Sequence, residues 1–199
     1  MREHGNLGSA AGSVPFGHLG WGYRDGAEFL RHAAAYIADG LRRNQRVAYV
    51  GEASGEALRA ELTAMSRIDE RLDWGDVEIT PATEYYHFHP GDVIDAEPVV
   101  ARCVAAAEQA IDDGYRGLRT VVDVTPMART PEQRDALARL EYLVDQEMAA
   151  PPYAALCGYD TGQLSTAAAE NWYVFTRSSA RGRCRFGSTP IRTPTCISR

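Results

Sequence analysis

The stretch that decides the fold is Gly117–Pro126, which reads GLRTVVDVTP. Its apolar residues are mostly β-branched and show no helical period, which is typical of a strand buried on both faces. Helical patterns precede and follow this stretch, and such an alternation predicts a sheet covered by helices. We therefore expect an α/β fold with three layers, α/β/α, in which this strand lies at the centre of a mostly parallel sheet.

The polar end of this central strand is the first candidate site. Ligands of open α/β sheets bind beyond the carboxyl ends of the strands, and Asp123 stands at that end. Arg119 lies on the same face as Asp123, because side chains alternate along a strand with a period of two. The alternative is that Asp123 closes a turn and Arg119 pairs with an acid on a covering helix, since position in a fold is weak evidence of function.

The other predicted elements alternate between strands and helices. Apolar runs predict strands at Phe16–Tyr23, Arg46–Gly51, Val77–Thr80 and Ala154–Gly158. Apolar residues with a 3.6 period predict helices at Gly26–Leu41, Gly55–Met65, 95–113 and 131–149. Asp25 is the expected cap of the first helix, and Thr130 with Gln133 forms a capping box before the last one. In the helix over 95–113 we expect six residues to face inward: Val99, Val100, Cys103, Val104, Ala107 and Ile111.

Glu141 is an acid on the apolar face of the predicted helix over 131–149. A carboxylate buried in such a place needs a partner. Arg119 of the central strand is our candidate, and we expect a buried or half-buried ion pair between the two.

Length and composition indicate an ordinary globular chain. With 199 residues, 45% of them hydrophobic, it can form one domain with a substantial core. No apolar run reaches the roughly 18 residues of a membrane span, and no apolar signal segment begins the sequence, so we expect a cytoplasmic protein. The four cysteines, Cys103, Cys157, Cys184 and Cys196, have no CxxC spacing and suggest neither a zinc site nor a disulfide framework.

The charge distribution argues against nucleic acid as a direct partner. All 21 basic residues are Arg, and six of them lie at 171–199, where there is no acid. Residues 1–170 therefore carry 15 Arg against 27 acids, a formal charge of −12. Such a body would repel a phosphate backbone.

The loop after the strand Arg46–Gly51 resembles a phosphate-binding loop that has lost its chemistry. A functional loop reads GxxxxGK[ST], and its Lys reaches the β- and γ-phosphates. Here the spacing from Gly51 to Gly55 is one residue short, the chain has no Lys, and Glu52 adds a negative charge. We therefore expect no classical ATP hydrolysis.

The remaining candidate residues are aromatic, His or Cys. His87 and His89 would point to one face of a strand and could form part of a metal site, although the sequence offers no third ligand and a packed aromatic edge is the alternative. Cys157, in a buried strand, is a core residue or a nucleophile. His18, Trp21, Tyr23, Tyr159 and other aromatic residues could line an apolar ligand pocket or simply fill the core.

Several segments, taken in order, make the chain resemble the MEDS domain, the sensory domain of methanogens and methylotrophs first described in a dichloromethane-responsive regulator. They are HLGWGY at 18–23, EFL at 28–30, YIADGL at 36–41, RVAYVG at 46–51, GLR at 117–119, DVT at 123–125, LEY at 140–142 and ALCGYD at 155–160. The resemblance implies a RecA/KaiC-like domain with a degenerate P-loop and no cofactor. It implies sensing of small hydrocarbon derivatives, and in actinobacteria an association with STAS-type anti-sigma antagonists or signalling kinases. By resemblance the functional residues are His18, Arg119, Asp123, Glu141, Cys157, Tyr159 and Asp160.

The chain departs from this family after Glu170. We expect a disordered segment over 1–14, a MEDS-like sensory domain over 15–170 and an irregular basic tail over 171–199 that leaves a sheet edge unpaired. A change of reading frame near Glu170 explains the tail, because codons read two bases later permit the family pattern of Cys, His and Pro. The tail is then a frameshift product; the alternative is that it is native.

Three classes of function remain open from the sequence. The first is a non-enzymatic sensory or regulatory domain that binds a small molecule or a signalling protein, with Trp21, Tyr23 and Glu52 as additional candidate contacts. The second is a divergent nucleotide-binding ATPase. The third is a protein-interaction module of a STAS or anti-sigma pathway that has no ligand.

Overall fold

A five-stranded parallel sheet forms the centre of the fold in the computed structural model, which describes residues 17–66, 73–147 and 152–163. The five strands of this sheet are β1 (Gly17–Tyr23), β2 (Arg46–Gly51), β3 (Val77–Pro81), β6 (Leu118–Asp123) and β7 (Tyr153–Asp160), and two short strands, β4 (Phe88–His89) and β5 (Val93–Ile94), form a separate antiparallel hairpin. The sheet order is β1-β7-β6-β2-β3, and every neighbouring pair is parallel. The predicted α/β fold is confirmed, and β6 is its central strand.

Helices cover both faces of this sheet. They are α1 (Gly26–Arg42), α2 (Gly55–Ser66), α3 (Ala82–Tyr85), α4 (Ala96–Asp112) and α5 (Pro131–Glu147). The buried residues of α1 and α2 pack on one face, and those of α4 and α5 pack on the other. We call these the α1 face and the α5 face. The three predicted layers are therefore present, with a separate apolar core on each side of the sheet.

The helix starts are set by side-chain caps that the sequence predicts. Asp25 Oδ1 accepts a hydrogen bond from the backbone N–H of Glu28 at 2.8 Å, which begins α1. Before α5, Thr130 Oγ1 accepts from the N–H of Gln133 at 3.2 Å, and Gln133 Oε1 accepts from the N–H of Thr130 at 3.1 Å. Each exchange satisfies backbone donors that have no partner within the helix.

The inward face of α4 differs in one residue from the prediction. Ile111 is 43% exposed, and Ala110 is buried in its place. Ile111 lies in the last turn of α4, which ends at Asp112.

Two predictions concern parts of the chain outside the described residues. They are the disordered segment over 1–14 and the irregular tail over 171–199, together with the sheet edge that this tail would leave unpaired. Within the described residues, no helix combines the length and apolarity needed to cross a bilayer.

Candidate functional site

The sheet separates the predicted site residues into two groups. His18 lies beside Ala155 in the register of β1 and β7, so its side chain shares the α5 face with Cys157 and Tyr159. Arg119 lies beside Ala154, so its side chain points to the α1 face.

On the α5 face, a buried cluster forms around the imidazole of His18. His18 Nε2 lies 3.0 Å from Glu141 Oε2 and 3.1 Å from Cys157 Sγ, and His18 Nδ1 lies 3.4 Å from Asp145 Oδ1. Tyr159 donates its hydroxyl hydrogen to Glu141 Oε1 at 3.3 Å. The cluster thus brings together four predicted site residues from β1, α5 and β7, far apart in the sequence.

The acids of this cluster determine its protonation. Burial lowers the pKa of His18, but the charge of Glu141 and the contacts with Cys157 and Asp145 outweigh burial and hold that pKa well above its usual value. Burial, reinforced by the charge of Glu141, raises the pKa of the Cys157 thiol to about 11. At neutral pH the cluster therefore contains an imidazolium ion and a thiol, and a thiol is a poor nucleophile.

A small cavity of about 20 Å³ lies against this cluster. His18, Glu141 and Cys157 form its polar end, and the rest of the wall is mostly aromatic and aliphatic. The main apolar contributors are Tyr85, Tyr86, Val99, Val122, Leu140 and Val144. A cavity of this size holds a water molecule or an ion, or a very small organic molecule after modest adjustment, and is far below the roughly 300 Å³ of a drug-sized site.

The same three residues could hold a metal ion. Each offers one ligand atom, and these atoms all lie within 4.8 Å of one another. Imidazole, carboxylate and thiolate are the ligand types of transition-metal sites in proteins.

The predicted ion pair between Arg119 and Glu141 is wrong. The two side chains lie on opposite faces of the sheet, and Glu141 pairs with His18. Arg119 is fully buried and lies 3.2 Å from Asp39 Oδ2, while its Nε donates to Gln45 Oε1 at 2.7 Å. Its guanidinium also lies over the Tyr36 ring, 4.2 Å from the centroid. Arg119 therefore ties β6 to α1 and does not touch the cavity.

The carboxyl ends of the strands form a hydrogen-bonded corner. Tyr23 donates to Asp123 Oδ2 at 2.8 Å, and the Thr125 N–H and hydroxyl both donate to Asp123 Oδ1. The backbone N–H of Asp160 donates to Thr125 Oγ1 at 2.8 Å, while its carboxylate accepts from Gly162 and Gln163. These contacts fasten β1, β6 and β7 together, as the turn-closing alternative for Asp123 anticipates.

Trp21 and Glu52 do not line the cavity on the α5 face. Trp21 is buried on the α1 face, where its ring stacks near Phe29 and lies 4.4 Å from the His32 ring. Glu52 accepts two hydrogen bonds, both of 3.1 Å, from the guanidinium of Arg129. The loop after β2 thus carries an exposed ion pair where a functional phosphate loop carries Lys.

His87 precedes the β4–β5 hairpin and His89 lies in it, and neither belongs to a metal cluster among the described residues. His87 is exposed, and His89 Nε2 lies 3.5 Å from Asp95 Oδ2 with its side chain 61% exposed. The only group of ligand type found in the described part of the chain is that of His18, Glu141 and Cys157.

Sequence reasoning missed several partners of the site residues. Asp145 follows Glu141 by four residues on α5, so helical spacing could have placed both acids on one face. Gln45, Tyr36 and Asp39, which surround Arg119, gave no signal, because each partner depends on how α1 lies over the sheet.

No curated protein matches the chain. The family model of MEDS, described as MEthanogen/methylotroph, DcmR Sensory domain, matches residues 17–173, which is more than half of the chain. The match includes every strand and helix described above and ends three residues beyond Glu170, where the composition changes. The chain therefore belongs to the MEDS family of sensory domains.

Proposed function

We propose that residues 15–170 form a non-enzymatic sensory domain that binds a small hydrocarbon derivative in the cavity on the α5 face. The observation that carries the proposal is the shape of this cavity, apolar and aromatic along its wall and polar at one end, where His18, Glu141 and Cys157 converge. Such a combination is typical of small-molecule sites, in which a few polar groups fix the orientation of an apolar ligand.

The size and polarity of the cavity define the class of ligand. A volume of about 20 Å³ is enough for about one water molecule, so one- or two-carbon compounds would need only small movements of the cavity wall and larger molecules would need large ones. The imidazolium of His18 can donate a hydrogen bond and the carboxylate of Glu141 can accept one, so an alcohol or a halogenated methane suits the polar end. The apolar part of the ligand would displace water from the aliphatic side chains of the cavity wall.

The state of Cys157 supports binding without covalent chemistry. Its thiol has a pKa of about 11 and lies against a carboxylate. A thiol of this kind is protonated at neutral pH and gives little thiolate for nucleophilic attack. We therefore propose that the ligand is released without any chemical change.

The signal would pass to a partner protein through the strand and the helices that contact the bound ligand. A ligand in the cavity would touch β7 in the sheet and α4 and α5 above it. By family resemblance, the proposed partner is a STAS-type anti-sigma antagonist or a signalling kinase. Nucleic acid is not proposed as a direct partner, because residues 1–170 are strongly acidic.

Thermal unfolding of the full chain with methanol, ethanol and dichloromethane tests the proposal. A ligand that binds only the native state stabilises it by about 2.7 kcal/mol at a concentration 100 times its Kd. We expect a saturable rise in Tm for at least one of these probes. We expect Ala155→Val to abolish the rise, because Ala155 lines the cavity and the added methyl groups would fill it.

The matched control is Ala154→Val, one residue earlier in β7 and on the α1 face. It overpacks the opposite core and lowers Tm by a comparable amount, but the ligand-induced rise should remain. A rise that survives Ala155→Val and disappears in Ala154→Val would place the ligand on the wrong side of the sheet and refute the proposal.

A further inference from the structure

The cluster on the α5 face has a feature that ligand binding alone does not require. His18, Glu141 and Cys157 are all buried, come from three different elements, and direct one nitrogen, one oxygen and one sulfur atom toward each other. A hydrogen-bonded structural triad is the simpler account of such a group. The distances are compatible with both accounts, and the outer contacts favour a metal site.

The distances suit a tetrahedral ion. His18 Nε2 lies 3.0 Å from Glu141 Oε2 and 3.1 Å from Cys157 Sγ. Zinc bonds of about 2.0–2.1 Å to nitrogen and oxygen and about 2.3 Å to sulfur would separate the ligand atoms by roughly 3.3–3.6 Å. Glu141 Oε2 and Cys157 Sγ would each have to move a few tenths of an ångström away from His18 Nε2, and the two lie within 4.8 Å of each other, a range that includes the separation an ion requires.

The outer contacts arrange the ligand atoms as in metal sites. The Nδ1 atom of His18 faces the carboxylate of Asp145 at 3.4 Å, so the proton on Nδ1 is held there and Nε2 is the nitrogen that would bind a metal after losing its own proton. The Oε1 atom of Glu141 accepts the hydrogen of the Tyr159 hydroxyl at 3.3 Å, leaving Oε2 as the atom that faces His18. Two of the three ligands thus have a partner on the atom that would not bind the metal.

We propose that His18 Nε2, Glu141 Oε2 and Cys157 Sγ bind one divalent transition-metal ion of the Zn²⁺ type. Binding would displace the thiol proton of Cys157 and the proton on His18 Nε2 to solvent. The thiolate and the carboxylate then neutralise the charge of the ion, which suits a buried site. Thiolate and imidazole select Zn²⁺ and related ions over Mg²⁺ and Ca²⁺. The fourth position faces the cavity, as in zinc sites that keep a place for water or a ligand.

Metal binding goes beyond the proposed function and does not depend on it. The cavity can bind an organic molecule without a metal, and the metal can bind without that molecule. The Tm experiment is therefore repeated on chain treated with chelator. A ligand-induced rise that persists there separates the two proposals.

The test is metal binding by the full-length chain after chelator treatment. We expect about one Zn²⁺ per chain after reconstitution. With Co²⁺ in place of Zn²⁺, we expect a thiolate-to-cobalt charge-transfer band in the near ultraviolet. Cys157→Ser should lose this band, and Asp145→Asn should weaken Co²⁺ affinity by about 10–100-fold, as is usual when a partner of a ligating His is removed.

The control is the double variant Cys184→Ser/Cys196→Ser, which removes the two cysteines of the tail and should keep the band. Circular dichroism checks that Cys157→Ser is folded; if it is not, the affinity of Asp145→Asn decides. The proposal is overturned if the wild-type chain binds neither ion. It is equally overturned if the band survives Cys157→Ser, or if Asp145→Asn leaves the affinity unchanged.

Discussion

Arg119 is fully buried, and its charge is offset by Asp39 and by the face of the Tyr36 ring. Replacing it with Ala removes the buried partner of Asp39, which keeps only its ion pair with Arg43, removes the donor to Gln45 Oε1 and leaves a cavity. We expect Arg119→Ala to lower the free energy of unfolding by about 3–5 kcal/mol, the usual cost of breaking a buried pair. Arg119→Met should lose less, because its side chain fills much of the space. Urea unfolding at constant pH measures both.

The control for Arg119 is Arg139→Met on α5. Arg139 forms an exposed ion pair with Glu97, and such pairs contribute about 0–1 kcal/mol. Equal losses at positions 119 and 139 would mean that burial of Arg119 contributes nothing to stability.

At the scale of single residues, the alternation of side chains along a strand predicted the face on which a residue lies, but not the residue with which it pairs. It placed Arg119 and Asp123 on one face of β6, and both do contact residues of that face. It could not say which helix covers which face, because β6 is buried on both sides. The error over Glu141 follows from that: α5 lies on the opposite face, where the available partner is His18.

Gly40 shows how a helix makes room for a buried side chain. A Cβ at this position of α1 would lie 2.6 Å from Arg119 Cδ. Alanine ordinarily stabilises a helix by about 1 kcal/mol relative to glycine. We expect Gly40→Ala instead to destabilise the protein by about 1–3 kcal/mol, the usual result of overpacking.

Gly26→Ala, at the start of the same helix, is the matched control for Gly40→Ala. A Cβ there meets nothing within 4 Å. We expect it to be neutral or to stabilise the protein by up to about 1 kcal/mol. If chemical denaturation finds both substitutions equally stabilising, the close packing of Arg119 on α1 is not what fixes Gly40.

The loop between β2 and α2 predicts the absence of ATP hydrolysis. It has no Lys, and Glu52 forms an ion pair with Arg129. Both carboxylate oxygens of Asp123, at the end of β6, already accept hydrogen bonds from Tyr23 and Thr125. We expect no phosphate release from Mg²⁺-ATP above the protein-free rate. Turnover that disappears in Asp123→Asn would contradict this.

The bounds of the helices and strands were predicted better than the residues that each helix buries. The bounds of β2 and the starts of α1, α2 and α5 could be read from apolar period and caps, since these signals are local. Ile111 was predicted to face inward because it is apolar, but it is exposed in the last turn of α4. Nothing local marks such a residue.

At the scale of the whole molecule, the cavity depends on sheet order. β1 and β7 are neighbours although they lie at opposite ends of the described chain, and this pairing brings His18 beside Cys157. Sequence patterns predict a parallel sheet but not its order. The family resemblance singled out His18, Glu141 and Cys157 without saying that they meet.

The most direct test of the sensory site is a titration followed by methyl NMR. The full chain, with labelled Val and Leu methyl groups, is titrated with methanol, ethanol and dichloromethane. Val121 and Val122 are adjacent in β6 but lie on opposite faces, so they form an internal control. A ligand in the cavity should shift the methyl signals of Val99, Val122 and Val144 saturably and leave those of Val47 and Val121 nearly unchanged. Shifts concentrated at Val47 and Val121, or no saturable shift with any of the three probes, would contradict the account.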